Sequence, residues 1–191
     1  CAHNIVSHDI KYLKPFLKKS YKLIDTLYLS PILFPERPYH NLVKDDKIIS
    51  DQLNNPLSDS LKAKQLFEDE LERFNSLSEN VKRAYYDLLS GSGHFKGFFD
   101  YTQYRTSRLS YLFNSKADNI SDILKDMVCS KADISRIVDS TPTELAYAIA
   151  IIKTGDRYSI TPAWVKHQFP LVDNIIHKLR GINCGECRYC R

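Results

Sequence analysis

Cys1-Ala2-His3-Asn4-Ile5-Val6-Ser7-His8-Asp9 opens the chain, and a second informative stretch, Asn54-Asn55-Pro56-Leu57-Ser58-Asp59, follows further along. Apolar residues at positions 10, 13, 16 and 17 come after Asp9, a spacing that predicts an amphipathic helix over residues 9–19. A second helical pattern begins at Ser58. Each aspartate therefore stands at the start of a predicted helix, where the backbone holds a carboxylate in a fixed position. The alternative role for Asp9 is that of a simple helix N-cap.

The region around these stretches is predicted to be α/β. Residues 22–29 form an apolar run that indicates a buried strand, and Ser30-Pro31 after it provides a helix start with proline at the first position. Residues 35–57 are rich in proline and polar residues, which predicts a long loop. Residues 1–75 are accordingly predicted to form one α/β part of the chain.

The remainder, residues 76–183, is predicted to be all-helical. Its clearest signal is Thr141-Pro142-Thr143-Glu144, a capping box with proline at the first helical position, which predicts a helix through 145–152 that ends at Gly155. The patterns of apolar residues predict further helices at about 78–91, 119–129, 131–138 and 170–180.

The composition bounds the class of protein. A hydrophobic content of 43% supports a folded core, and 27 basic against 23 acidic residues neither require nor exclude nucleic acid. The sequence shows no initiator methionine, no signal peptide and no apolar run long enough to span a membrane. We therefore expect an internal piece of a longer cytoplasmic polypeptide, with its cysteines reduced and no membrane partner.

Three of the five cysteines crowd the last eight residues, in the sequence Cys184-Gly185-Glu186-Cys187-Arg188-Tyr189-Cys190. Two Cys-x2-Cys spacings that share a central cysteine predict that Cys184, Cys187 and Cys190 converge on one tetrahedral Zn²⁺ ion. Zinc needs a fourth ligand, which is expected from beyond Arg191 or from His177 on the preceding helix. An iron–sulfur cluster and three incidental cysteines are the alternatives.

Residues 95–105 interleave aromatic and cationic side chains, in the order Phe95-Lys96-Gly97-Phe98-Phe99-Asp100-Tyr101-Thr102-Gln103-Tyr104-Arg105. Such a pattern suits stacking on unpaired bases beside a clamp on the phosphate backbone, so Lys96, Arg105 and the nearby Arg108 are candidate nucleic-acid contacts. The alternative interpretation is that the aromatic rings fill a seam between helices while the cations face water.

The order of these features resembles two linked protein families. The opening stretch and the Asp59 stretch resemble the second and third motifs of the DEDD-type 3′–5′ exonucleases, the DnaQ/RNase T-like family. Together with residues 24–31, the helical region over residues 76–183 and the cysteine segment over residues 184–190, these two stretches resemble part of a second family. That part is the N-terminal region of large bacterial RecQ-family ATP-dependent DNA helicases that carry a fused exonuclease domain. No Gly-x4-Gly-Lys-Ser/Thr sequence occurs, so an ATPase site is not expected in these residues.

The resemblance implies a fold and a division of the chain. Residues 1–75 would be the C-terminal portion of an RNase H-like exonuclease domain. Residues 76–183 would be a helical connector domain, and residues 184–191 a truncated motif that resembles a zinc knuckle. A helicase motor would continue the same polypeptide beyond them.

The resemblance also implies a chemistry. Asp9 and Asp59 would hold two Mg²⁺ or Mn²⁺ ions together with an Asp-x-Glu motif upstream of Cys1. His3 and Asn4 would contact DNA, as a single strand or a 3′ end. The carboxyl groups of Asp9 and Asp59 are then predicted to lie within roughly 8 Å of each other, because two-metal sites place the ions about 4 Å apart.

The general base is where the chain departs from the family. One branch has a histidine five positions before the third-motif aspartate, and here Asn54 stands at that catalytic position. An amide cannot accept the proton of the attacking water. His40 is the nearest histidine that could fold back as the base, with a surface loop position as its alternative; Asp45 or Asp46 would serve in other arrangements.

Three functions follow from the sequence. The first is part of a metal-dependent 3′–5′ DNA exonuclease attached to a RecQ-like helicase in DNA repair or recombination. The second is a catalytically inactive exonuclease-like module that binds DNA or serves as a scaffold. The third sets the resemblance aside and reads the chain as a helical protein-interaction module with a zinc knuckle.

Overall fold

The structure is a computed structural model that describes residues 1–17, 21–37, 39–40, 56–107, 114–155 and 159–191. These residues form helices joined by turns, and their β-type pairing is one isolated parallel bridge between Ala2 and Asp25. The α-helices of the described residues are α1 (Ile10–Leu13), α2 (Thr26–Leu33), α3 (Pro56–Ser76), α4 (Glu79–Leu89), α5 (Lys96–Thr102), α6 (Lys116–Ile123), α7 (Ile134–Ser140), α8 (Pro142–Thr154), α9 (Ala163–Gln168) and α10 (Val172–Arg180).

Helix α8 is the centre of the fold. Residues 145–152 are all buried, so the helix is covered around its whole circumference, as expected for a core helix. Helices α2, α4, α7 and α10 pack around it. One apolar cluster extends from Ile24 near the start of the chain to Leu179 near its end, and it includes residues on both sides of position 75.

Helix α2 is the second fully buried element. All of its residues, Thr26 to Leu33, are buried, and it packs against both α8 and α3. The Tyr147 hydroxyl on α8 donates a hydrogen bond to the Tyr28 carbonyl at 2.9 Å. The Tyr28 ring stacks on His94, with ring centroids 4.4 Å apart. Helix α2 therefore joins the N-terminal residues to the same core as the rest of the chain.

The predicted α/β class is wrong. The described residues contain no strand and no sheet, so a portion of an RNase H-like fold over residues 1–75 is not supported. The run at 22–29, predicted as a strand, enters α2 at Thr26. An apolar run that is buried on every side has the same pattern in a strand and in a helix, so periodicity could not separate them.

The Asp25 carboxylate fixes where α2 begins. Oδ1 accepts hydrogen bonds from the backbone N–H groups of Leu27 at 3.0 Å and Asn4 at 2.8 Å, and Oδ2 accepts one from Val6 at 2.9 Å. Asp25 is 1% exposed, and three N–H donors offset the cost of burying its charge. The same carboxylate thus caps α2 and holds the opening turn of the chain against it.

The helix at the start of the chain is shorter than predicted. In place of a helix over 9–19, α1 spans Ile10–Leu13 and a 3₁₀ turn follows at Lys14–Phe16. Pro15 explains the break, because proline lacks the N–H that would continue the α-helical ladder. The Phe16 side chain is consequently left 87% exposed.

The start of α8 differs in detail from the predicted capping box. Pro142 occupies the first helical turn as predicted, but the Thr141 hydroxyl donates to the Ile137 carbonyl at 3.3 Å and makes no cap hydrogen bond. A capping box does form at the start of α6, between Ser115 and Asp118. Among the helices described here, none has the length and apolar character needed to cross a bilayer.

Glu70 on α3 carries a buried carboxyl group at the junction with α2. It is 0% exposed, and neither of its oxygens has a hydrogen-bond partner in the part of the chain that the structure describes. Burial raises the pKa of Glu70 to about 10, and the nearby Asp25 carboxylate acts in the same direction. Glu70 is therefore protonated and neutral at pH 7.

We predict that Glu70→Gln removes a pH-dependent loss of stability. The unfolded chain releases this proton near pH 4.5, whereas the folded chain keeps it up to about pH 10. Between those values the free energy of unfolding of the wild type therefore falls as pH rises, by about 1.4 kcal/mol per pH unit from this group. Urea unfolding across that window measures the slope, which Glu70→Gln should flatten.

Glu72→Gln is the matched control, since Glu72 is exposed on the same helix. It should keep the wild-type slope. Equal slopes in the wild type and in Glu70→Gln would contradict the raised pKa of Glu70.

Candidate metal centre

Two separate segments of the chain bring cysteines to one place. Cys129 follows α6 and is 1% exposed, and its backbone N–H donates to the carbonyl of Leu179 on α10 at 3.0 Å. Residues 184–190 follow directly after α10. The end of α10 therefore positions both the loop with Cys129 and the C-terminal cysteine segment.

The C-terminal segment folds into a compact knuckle. Gly185 adopts φ +66°, a left-handed conformation that favours glycine and allows the tight turn after Cys184. The backbone N–H of Cys187 points at the Cys184 sulfur, with an N–S distance of 3.4 Å, and the N–H of Cys190 donates to the Cys187 carbonyl at 3.1 Å. These bonds turn the sulfur atoms of the segment toward a common point.

The sulfur atoms of four cysteines all lie within 4.8 Å of one another. In a tetrahedral zinc site with Zn–S bonds of about 2.3 Å, the sulfur atoms are about 3.8 Å apart. The separations of the four sulfurs are therefore close to those that a zinc ion requires. Within the described residues this is the one group of three or more His, Cys, Asp or Glu side chains that could hold a metal. We call this group the four-cysteine cluster: Cys129, Cys184, Cys187 and Cys190.

The pKa values of the three knuckle cysteines reflect backbone hydrogen bonds to the sulfurs and the closeness of neighbouring thiols. The backbone N–H of Ser130 is the main cause that lowers the pKa of Cys187 to about 6, and the N–H of Cys187 lowers the pKa of Cys184. At Cys190 the N–H of Cys184 favours the thiolate, but burial and the Cys187 thiol outweigh it and raise the pKa to about 12. Neighbouring thiolates repel one another, and a bound cation is what would allow all of them to ionise.

Ion pairs at the rim add further contacts between the knuckle and the loop around Cys129. Lys131 pairs with Glu186 at 2.7 Å, and Arg188 pairs with Asp126 at 3.2 Å. All four side chains are more than 40% exposed, so each pair contributes about 1 kcal/mol or less. These ion pairs therefore add little to the attachment of the knuckle.

The prediction of a cysteine metal site is supported at the level of the ligands. The structure brings Cys184, Cys187 and Cys190 together, as their spacing predicts, and the four cysteines could hold a metal such as zinc. The fourth sulfur of this group is that of Cys129, and His177 does not belong to the group. Cys129 was not among the predicted ligands, and only the count of four cysteines after residue 128 pointed to it.

The predicted carboxylate ligands lie at helix starts. Asp9 is exposed and directly precedes α1, without a side-chain cap bond, and Asp59 lies half-buried in the first turn of α3. Neither belongs to a group of three metal-ligating side chains among the described residues. The closeness of the Asp9 and Asp59 carboxyl groups stays a prediction. Asp45 and Asp46 lie outside the described residues.

The predicted base and the opening His-Asn pair are held in internal contacts. His40 is buried, and its Nδ1 lies 2.8 Å from the Ser30 hydroxyl; burial lowers the pKa of His40 to about 4. His3 Nδ1 lies 2.9 Å from the Thr26 hydroxyl, and burial lowers the pKa of His3. Asn4 adopts φ +58° beside Asp25. Asn54 lies outside the described residues.

The cations of the aromatic segment converge on one carboxylate. Asp100 pairs with Lys96 at 2.6 Å and with Arg105 at 3.1 Å. The rings of Phe95, Phe98 and Phe99 are buried in the core. This arrangement fits the alternative in which aromatic side chains fill a seam between helices. Arg108, the remaining candidate contact, lies outside the described residues.

Comparison with family models, with curated proteins and with solved structures finds no match for this chain.

We predict that Cys129→Ser sharply reduces the metal content of the protein. A site of four thiolates should retain about one Zn²⁺ per chain through dialysis, whereas three ligands hold zinc far more weakly. Metal content by mass spectrometry measures the difference, and circular dichroism verifies that the variant is still helical.

Cys1→Ser is the control for this experiment, because Cys1 is exposed and outside the four-cysteine cluster. It should bind as much zinc as the wild type. Wild-type zinc content in Cys129→Ser would mean that Cys129 is not a ligand.

Proposed function

We propose that this chain is a zinc-stabilised helical module that binds another protein. The observation that carries the proposal is the convergence of Cys129 with the C-terminal knuckle in the four-cysteine cluster. Four protein thiolates complete the tetrahedral coordination of zinc and leave no position for a reacting water, which is the pattern of structural zinc sites and not of catalytic ones.

The chemistry of the donors favours zinc over hard cations. Thiolates are soft ligands that select zinc, copper(I) or iron, whereas Mg²⁺, Ca²⁺ and Mn²⁺ prefer carboxylate and carbonyl oxygen. Iron in the same thiolate site is the competing occupant, and it would colour the protein. Metal analysis of the purified chain distinguishes the two ions directly.

The proposed role of the ion is to fasten the end of the chain to the helical core. The knuckle contributes no side chain to the apolar cluster of the described residues, and its ion pairs are exposed. Metal binding would replace the hydrophobic burial that this segment lacks, as it does in small metal-dependent domains. The result would be a rigid C-terminal surface beside α10.

Chelation of the metal should therefore loosen one region and leave the core intact. We expect backbone amides of residues 182–191 and 127–132 to exchange hydrogen much faster after treatment with a zinc chelator, and those of α8 to keep their protection. Hydrogen exchange with mass spectrometry on the intact chain measures both regions. Uniform protection before and after chelation would contradict the fastening role.

A two-metal nuclease within a longer parent polypeptide is the second candidate. The observation that favours it is the position of Asp9 and Asp59, each at the start of a helix as the sequence predicts. This proposal includes Mg²⁺ or Mn²⁺, a DNA substrate and a helicase in the same polypeptide. It requires further ligands, since neither aspartate has two metal-ligating neighbours among the described residues.

The nuclease candidate predicts that the 191 residues alone show little or no turnover with Mg²⁺ or Mn²⁺. A 3′-labelled single-stranded oligonucleotide is the substrate for the assay, and addition of the upstream Asp-x-Glu segment should restore degradation that Asp59→Ala abolishes. Strong metal-dependent cleavage by the isolated chain, lost in Asp59→Ala, would show that the active site needs nothing further.

A further inference from the structure

A groove of about 580 Å³ lies between α7 and α10, next to the segment that leads into the knuckle. Its apolar part consists of Ile137 from α7, Ile175 from α10, and Leu171 and Ile182 from the flanking turns. Ile137 and Ile175 are buried and form the floor, while Leu171 and Ile182 are 44% and 36% exposed. The groove therefore has an aliphatic base that is open to solvent on its sides.

The charged residues of the groove are mainly cationic. Arg136 and Lys178 line it, both are exposed, and neither makes an ion pair within the described residues. Asp133 is the acidic residue of the lining, and its Oδ1 accepts a hydrogen bond from the backbone N–H of Arg136 at 3.1 Å as the cap of α7. The two cations are thus available to a partner with negative charge.

The outer wall of the groove is tied to the four-cysteine cluster. Ile182 stands two positions before Cys184 in the chain, so the position of Ile182 depends on how the cluster holds Cys184. Gly181, which ends α10, also lines the groove. A bound metal would fix this wall, and its loss would release it.

We propose that this groove binds an amphipathic helical segment of a partner protein, with acidic side chains beside its apolar face. The proposal rests on the zinc site of the proposed function, which holds the outer wall. An aliphatic floor suits leucine and isoleucine side chains presented at helical spacing, and the unpaired cations complement flanking carboxylates. Single-stranded nucleic acid fits less well, because the lining contains no Phe, Tyr or Trp ring on which bases stack.

The test uses a fluorescein-labelled synthetic helix with leucines at positions i, i+3, i+4 and i+7 and glutamates on either side of them. Fluorescence anisotropy with the zinc-loaded chain measures its affinity. The double variant Arg136→Glu/Lys178→Glu should bind it at least about tenfold more weakly, and a peptide with lysine in place of each glutamate should not bind. The control is Lys116→Glu/Lys153→Glu, which makes the same charge change on α6 and α8 and should bind like the wild type.

The zinc content of each sample distinguishes a failure of the groove proposal from a failure of the proposed zinc site. Chelation should weaken peptide binding at least about tenfold, because it frees Ile182. A chain that holds zinc but does not bind the acidic peptide overturns the groove proposal and leaves the zinc site standing. A chain without zinc refutes the site itself, and peptide affinity unchanged by chelation refutes the link between them. Tighter binding of a single-stranded oligonucleotide, lost in Arg136→Glu/Lys178→Glu, would assign the groove to nucleic acid instead.

Discussion

The need to cover α8 on every side organises this protein. Eight consecutive apolar residues on one helix can be removed from water only if neighbours surround it, and α2, α4, α7 and α10 provide them. Apolar surface removed from water stabilises the folded chain by about 25 cal/mol per Å². The buried Asp25 carboxylate accepts hydrogen bonds from three backbone N–H groups, and the buried Glu70 carboxyl is neutral at pH 7.

The candidate metal centre derives its geometry from that core. Helix α10 packs on α8, and the carbonyl of Leu179 on α10 fixes the backbone of Cys129. The knuckle contributes no apolar cluster residue, yet its sulfurs meet Cys129 because α10 ends directly beside that loop. The core therefore holds one candidate ligand rigidly, and the local turn around Gly185 positions the others.

The sequence correctly predicted the parts of the structure that local chemistry determines. Pro142 and the apolar run after it identified α8, and the spacing of Cys184, Cys187 and Cys190 identified the knuckle, because both signals act over a few residues. Helix α2 was mistaken for a strand, since a run buried on all sides has no period to reveal its conformation. Cys129 was missed for a related reason: its role depends on a contact between distant segments, which no local pattern records.

The separation of Cys129 and Cys184 along the chain bears on the stage of folding at which a metal would bind. The two cysteines are 55 positions apart, and closing a loop of that length costs the unfolded chain about 4 kcal/mol of conformational entropy on the chain-entropy model of cross-links. The knuckle alone offers three sulfurs, so tight binding of a metal would require that α6 to α10 have already assembled. Metal uptake would thus be a late event that reports completion of the native core.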